Sequence, residues 1–249
     1  MRAPISQHQV EVQRNRQAWQ SKPILREIYA GFYARILALL DPNVPGRIVE
    51  IGSGIGNLKT HLPGTCCTDL FPNPWLDLVC DGYDLPFARG SLSHLILFDV
   101  FHHLQSPNAF LNEARRVLGP GGRILIFEPY VSWCSIWAYG VFHHEPLGWN
   151  QPINFGPECP RPRRYYAAQA NATRLFFIGS NKDWVAGWRI FHAEVFAGFS
   201  YLLSGGFSQP AFYPRRWLPW LQRWDARLSR WPRLFGARCL VGLSSAPVS

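Results

Sequence analysis

Acidic residues are scarce in this sequence: 16 Asp and Glu stand against 25 Lys and Arg, giving a formal net charge of +9. Nearly all of the positive charge is arginine. A surface of that sign favours anionic partners, whether lipid headgroups, phosphates or nucleic acid. Long hydrophobic runs are missing too. No apolar stretch reaches the roughly 20 residues that a membrane-spanning helix needs. The Gln- and Arg-rich N-terminus has no apolar signal core. The six cysteines lack any metal or redox spacing: Cys66 and Cys67 are adjacent, and Cys80, Cys134, Cys159 and Cys239 are scattered. That pattern argues against a zinc site or a disulfide framework and for buried thiols in a reducing compartment. The expected location is cytoplasmic, with a peripheral position at the inner face of the membrane as an option.

What is present is ample material for a core. Of 249 residues, 47% are hydrophobic and 15% aromatic, including 11 Trp. This length is close to the size at which one core still suffices. The expected organisation is an N-terminal helical cap over 1–46 and one domain over 47–249, with an insertion at about 130–187.

The stretch Arg47 to Asn57, R-I-V-E-I-G-S-G-I-G-N, organises the chain. Ile48, Val49 and Ile51 form a β-branched run suited to a buried strand, broken at Gly52. Gly52, Gly54 and Gly56 then alternate, so the backbone can turn tightly and approach a ligand closely. Asn57 to Leu62 is expected to form a short helix pointing at the same place. Together these make the first unit of a doubly wound α/β sheet, whose ligands sit beyond the carboxyl ends of the strands. A dinucleotide fingerprint starting at Gly52 would need glycine at 57, where Asn57 stands. That disfavours a nicotinamide or flavin enzyme.

Helical spacing of Ile24, Leu25, Ile28, Tyr29, Phe32, Ile36, Leu37 and Leu40 predicts a helix ending at Asp41-Pro42, either packed on the sheet or lying as a lid over a site. Residues 1 to about 20 read as polar, apart from Trp19. The second strand is expected over Thr65 to Asp69. Asp69 follows Glu50 by 19 positions, a separation suited to a carboxylate that accepts ribose hydroxyls. A third strand is expected over Leu76 to Cys80, a fourth over His94 to Val100 and a fifth over Arg123 to Glu128. Asn108 to Leu118 has helical periodicity, with Gly119-Pro120-Gly121-Gly122 as its stop. Beyond a Pro-rich loop at Pro146 to Pro162, Arg189 to Ala197 and Ala237 to Leu243 are the sixth and seventh strands.

With these residues in place, E-x-G-x-G-x-G, D-G-Y-D-L-P-F, F-D-V-F-H-H-L and E-A-R-R-V-L-G-P-G-G-R-I-L-I-F-E-P, in that order, resemble a type-11 class I S-adenosylmethionine-dependent methyltransferase. Three outer stretches resemble a bacterial subgroup of that family: W-Q-S-K-P-I-L-R-E-I-Y, F-H-H-E-P and Y-L-L-S-G-G-F-S. The resemblance implies a Rossmann-like α/β fold. Its seven-stranded sheet is mostly parallel, with helices on both faces and an antiparallel last strand slotted between the fifth and sixth. It also implies S-adenosylmethionine as cofactor. Gly52, Gly54, Gly56 and Asp69 would hold it, Glu50 would reach its methionine end, Asp81 and Gly82 its adenine, and Asp99 would lie near the transferred methyl.

His102 and His103 follow the fourth strand, where a histidine could take a proton from an acceptor hydroxyl. Each could equally cap or pack. His143-His144-Glu145 lacks the H-E-x-x-H spacing of a zinc helix, and no metal is expected. Trp217, Trp220, Leu221, Trp224, Leu228 and Trp231 follow helical spacing, flanked by arginines. That stripe is either a buried face or an interfacial helix with Trp at headgroup depth. The aromatic-rich composition suggests a small-molecule acceptor that is hydrophobic or lipid-linked. The alternatives are an RNA methyltransferase using the basic surface, and a non-catalytic cofactor-binding partner subunit. The RNA option is weakened because F-D-V-F stands where adenine-amino methyltransferases carry N-P-P-Y.

Overall fold

Apolar runs and glycine turns produce a seven-stranded sheet in the computed structural model, which describes residues 5–142, 146–161, 166–179 and 183–245. The strands are β1 (Arg47–Ile51), β2 (Cys66–Asp69), β3 (Leu78–Val79), β4 (Leu92–Phe98), β5 (Leu118–Pro129), β6 (Trp188–Ala197) and β7 (Gly236–Ser245). Their order is β3-β2-β1-β4-β5-β7-β6. β7 lies antiparallel between β5 and β6, and the other neighbours are parallel. The expected fold class and the place of the last strand are therefore observed.

The helices are α1 (Ile5–Ser21), α2 (Pro23–Leu37), α3 (Pro107–Val117), α4 (Ser135–Phe142), α5 (Phe199–Leu203), α6 (Leu218–Leu228) and α7 (Pro232–Phe235). Strand alternation divides the core into two layers. Leu95, Leu97, Ile124 and Ile126 face α3 and the segment between β5 and β6, meeting Phe110, Phe176 and Trp184. Ile96, Leu125, Phe127 and Leu240 face α2, α5 and α6, meeting Ile28, Phe32 and Leu221. Because both faces are covered, the central strands read as continuous apolar runs.

Residues 5–21 are helical, within the helical cap expected over 1–46, although only Val12 and Ala18 among those whose side chains are described are buried apolar positions. Three local expectations are corrected. The helix expected over 57–62 is a single 3₁₀ turn, Asn57–Thr60, so no helix dipole points at the glycine loop. β3 has two residues instead of five; it follows Pro72 and Pro74 and occupies the sheet edge, where prolines are tolerated. α3 ends at Leu118 in an extended conformation (φ −75°, ψ 136°) and runs directly into β5, without a glycine C-cap.

Candidate functional site

The carboxyl ends of β1, β2, β4 and β5 converge on one edge, and the loop after β1 forms its floor. Gly52, Gly54 and Gly56 all have positive φ (67°, 54° and 69°). A Cβ on Gly52 would lie 2.4 Å from a Val100 methyl, whereas one on Gly54 would meet nothing within 4 Å. Gly52 is therefore required by packing against the loop after β4, and Gly54 by open space beside a bare backbone.

The loop is braced from β2. Asp69 Oδ2 accepts the Gly54 amide at 3.0 Å, Asn73 donates to the Gly54 carbonyl at 3.0 Å, and Ser53 Oγ accepts the Thr68 amide at 2.9 Å. Asp69 keeps further acceptor capacity in its carboxylate. Glu50 is buried at the end of β1 with a sulfur contact from Cys67 and, among the described residues, no cation within salt-bridge distance; burial pushes its carboxyl up to about 8. A neutral acid thus sits beneath the loop, poised to ionise beside a cation. Asp81 accepts the Tyr83 amide at 2.9 Å and bridges to Asp84, which fixes the turn after β3. Gly82 packs near Ile51 and Phe110.

The end of β4 carries two polar pairs, one between half-buried Asp99 and buried Arg238 and one buried on both sides. Asp99 has φ 56°, the one positive value found at a non-glycine residue among those described. Such a backbone is uncommon and persists only where its surroundings hold it. Its amide donates to the Phe127 carbonyl at 2.9 Å, and its Oδ1 accepts Arg238 at 2.6 Å. Burial pushes the Asp99 carboxyl up, and Arg238 opposes that shift. Arg238 is only 2% exposed and lies 4.8–5.7 Å from the rings of Phe127, Tyr201, Phe98 and Phe32. Ring faces attract the guanidinium and replace part of its lost hydration.

The second pair joins His102 Nδ1 to Glu128 Oε2 at 2.6 Å, both buried. Glu128 Oε1 also accepts the Val100 and Phe101 amides at 2.7 and 2.5 Å. One carboxylate thus fixes both the turn after β4 and the orientation of its first histidine. His103, half-buried, lies with Nδ1 3.0 Å from the Tyr166 carbonyl, and its ring is 4.2 Å from that of His102.

Above this edge, α2 acts as both packing element and cover. It buries Ile24, Leu25, Ile28 and Ile36 in the core. Burial raises Tyr33 well above its ordinary range, with Glu50 and Asp99 adding to the shift; burial likewise raises Tyr29, beside Tyr201, Asp99 and Arg238. Both phenols therefore remain protonated donors. The first and last of the outer stretches meet here. Trp19 stacks on Phe207 at 6.4 Å, Tyr29 lies 6.0 Å from Tyr201, and Lys22 donates to the Gly206 carbonyl at 2.7 Å. Arg16 of α1 lies 4.3 Å over Trp75, whose carbonyl abuts Gly56. Most of the F-H-H-E-P stretch, His143 to Glu145, lies outside the described residues.

A cavity of about 520 Å³ opens elsewhere, along α3, among Arg89, Arg115, Arg116, Arg161, Glu113 and Glu158. No residue of the glycine loop or of the β4 end lines it, although Tyr83, in the turn after β3, does. Arg238, Glu128 and Asn73 were not singled out in the sequence. An arginine inside the apolar run G-A-R-C-L-V-G-L is the signal that could have found Arg238, since arginine is almost never fully buried without a partner.

Residues 49–126 match the family described as "Methyltransferase domain". A human protein named "Thiol S-methyltransferase TMT1B" is 30% identical over 129 residues, covering 42% of this chain and 53% of that protein. A mouse protein named "Probable tRNA methyltransferase 9B" is 28% identical over 119 residues, covering 42% of this chain and 27% of that one. The chain thus spans about half or less of the curated relatives it matches. A solved S-adenosylmethionine-dependent methyltransferase from Thermotoga maritima shares the fold, with TM-score 0.53, 16% identity and coverage of 90% and 92% of the two chains. The open backbone at Gly54, the braced glycine loop and the cationless Glu50 fit a cofactor that carries a ribose and a cationic methionine end. Residues 49–126 thus carry a methyltransferase domain, the sheet has the class I methyltransferase fold, and S-adenosylmethionine is the cofactor that domain and fold indicate.

Proposed function

We propose that the protein transfers a methyl group from S-adenosylmethionine to a hydrophobic or lipid-linked small molecule at the inner face of a membrane. The observation that carries this reading is the pairing of the glycine loop with an aromatic cover over one sheet edge. Tyr29, Phe32, Tyr33, Phe98 and Tyr201 lie within 5.2–6.4 Å of one another in successive ring contacts. Tyr29, Phe32 and Tyr33 are buried in the core, so Phe98 and Tyr201, both half-buried, are the members of this wall that offer an apolar acceptor a surface, and the rings behind them exclude water.

In this proposal Gly52, Gly54 and Gly56 give the cofactor a bare backbone, and Asp69 accepts its ribose hydroxyls. Glu50 faces its methionine end, Asp81 and Gly82 its adenine, and Asp99 stands near the methyl. The cofactor supplies an electrophilic methyl on a sulfonium, so the protein's work is alignment, dehydration and, for a protic acceptor, removal of one proton. His102 is the proposed base. Glu128 fixes its Nδ1 and so determines the direction of its other nitrogen, as a carboxylate orienting a catalytic imidazole does. His103, half-buried beside it, is the second candidate.

RNA is the competing acceptor, favoured by the +9 charge and by the name of the mouse relative. Incubation with methyl-labelled cofactor and a cell extract separated into lipid, RNA, protein and small-molecule fractions decides between them. Label is expected in the organic-soluble fraction. Label in RNA would overturn the acceptor assignment, and label nowhere would overturn the activity.

A further inference from the structure

The tryptophans of the C-terminal region are not core residues. In α6 it is Leu218, Leu221 and Asp225 that turn inward. Trp217, Trp220, Trp224 and Trp231 remain 41–55% exposed. A helix buried on the sheet would keep such large side chains inside, because each withdraws about 150–250 Å² from water when buried. The sheet edge adds two more. Trp133 and Trp137 are 75% and 73% exposed. Their segment is tied to α7 by the Trp133 amide on the Arg233 carbonyl (3.2 Å) and the Cys134 amide on the Leu234 carbonyl (3.0 Å). Leu234 itself is 46% exposed. The patch therefore runs along α6, through Trp231 and α7, to the start of α4.

Its charge is of one sign. Between positions 215 and 235 the only acid is Asp225, which is buried. Asp225 is consumed by the Phe199 and Ser200 amides at 2.7 and 3.1 Å and by the Ser200 hydroxyl. Arg216, Arg223, Arg227, Arg230 and Arg233 are exposed, and none has a carboxylate partner among the described residues. They interleave with the tryptophans on the outward side of the chain, and Arg227 lies 5.4 Å over the Trp224 ring. Indole rings settle at headgroup depth, where an apolar body and an N–H are both accommodated, and arginines there reach lipid phosphates. The patch lies on the reactive side of the sheet. Ala197, at the carboxyl end of β6, bonds Ser229 at the end of α6, and Tyr130, just beyond β5, bonds Ala237 of β7.

We propose that this face, from Trp217 through Leu234 together with Trp133 and Trp137, docks on the surface of an anionic phospholipid bilayer. No helix among the described residues is long and apolar enough to cross a membrane, so the contact is interfacial. Vesicle binding needs neither cofactor nor acceptor, and the inference therefore stands apart from the identity of the acceptor.

Flotation of the full chain with phosphatidylcholine vesicles, with and without phosphatidylglycerol, tests it. The protein should float with the anionic vesicles at low salt, with a blue shift of Trp emission, and return to the soluble fraction as salt rises. Arg223→Gln and Arg227→Gln should each weaken partitioning about fivefold, the equivalent of about 1 kcal/mol per arginine. Trp133→Ala with Trp137→Ala should weaken it also, with an unchanged melting temperature as the control for folding. Protein that stays soluble with both vesicle types at low salt, or arginine variants that float as well as the wild type, would overturn the proposal. A face that captured only a protein would give the first of those results.

Discussion

Glu50 and Glu128 are both buried carboxyls, and their surroundings give them opposite tasks. Glu128 is committed to His102 and two amides, so its loss should be felt in both stability and turnover. Glu128→Ala is expected to cost about 3–5 kcal/mol, because it strips partners from a buried site. His102→Gln should lower turnover on a protic acceptor about 10²–10⁴-fold with cofactor affinity intact. Glu128→Gln, which keeps the shape, should shift the pH profile of turnover; a purely structural role would leave that profile in place. Glu50 is the pH-sensitive one. Its folded value of about 8 lies above the ordinary carboxyl range, so the folded state holds a proton that the unfolded chain releases. Its contribution is fully present below about 4.5 and is lost as pH rises toward 8, at about 1.4 kcal/mol per unit of difference. Thermal melts from pH 5 to 8 should show a fall in the wild type that Glu50→Gln flattens. Parallel slopes for the two proteins would refute this.

At the scale of elements, the glycine loop and β7 carry the site in different ways. Gly52→Ala meets both a positive φ and a Val100 methyl, so it should destabilise the fold by more than about 1 kcal/mol. Gly54→Ala meets open space; beyond its backbone strain it should chiefly weaken cofactor binding, since its methyl enters the cradle. Melting curves and cofactor titrations on the two variants separate these effects. β7 brings Arg238 beneath the end of β4. Arg238→Met leaves half-buried Asp99 without its cation and should cost less than the about 3–5 kcal/mol of a fully buried pair, part of which Asp99→Asn recovers in the double variant.

These elements also show what the sequence made legible. The glycine turn after β1, the end of β2 at Asp69 and the strand order could be read because each depends on neighbours close in the chain or on a family pattern. The Glu128–His102 and Asp99–Arg238 pairs join residues 26 and 139 positions apart, which no local spacing records. The 57–62 helix failed because a positive φ at Gly56 leads into a single tight turn that ends before Pro63. The tryptophan stripe left two outcomes open, since periodicity gives a helix its face without saying which face is covered. Here Leu218 and Leu221 are inside, and the tryptophans beside them are not.

Across the whole molecule, one edge of the sheet gathers the braced glycine loop, two polar pairs, an aromatic cover and a rim of exposed tryptophan and arginine. The outer stretches Trp19–Tyr29 and Tyr201–Ser208, distant in sequence, close over that edge from both ends of the chain. Everything proposed for the site depends on the loop after β1 holding S-adenosylmethionine, and Asp69 is the residue on which that depends most. Calorimetric titration of the wild-type chain and Asp69→Ala with S-adenosylmethionine, and with NADH as the competing ligand, tests it most directly. The account predicts one S-adenosylmethionine per wild-type chain, no NADH, and a loss of about 1.5–3 kcal/mol in the variant from its missing charge-assisted hydrogen bonds. Binding of NADH without S-adenosylmethionine, or equal affinity in Asp69→Ala, would contradict it.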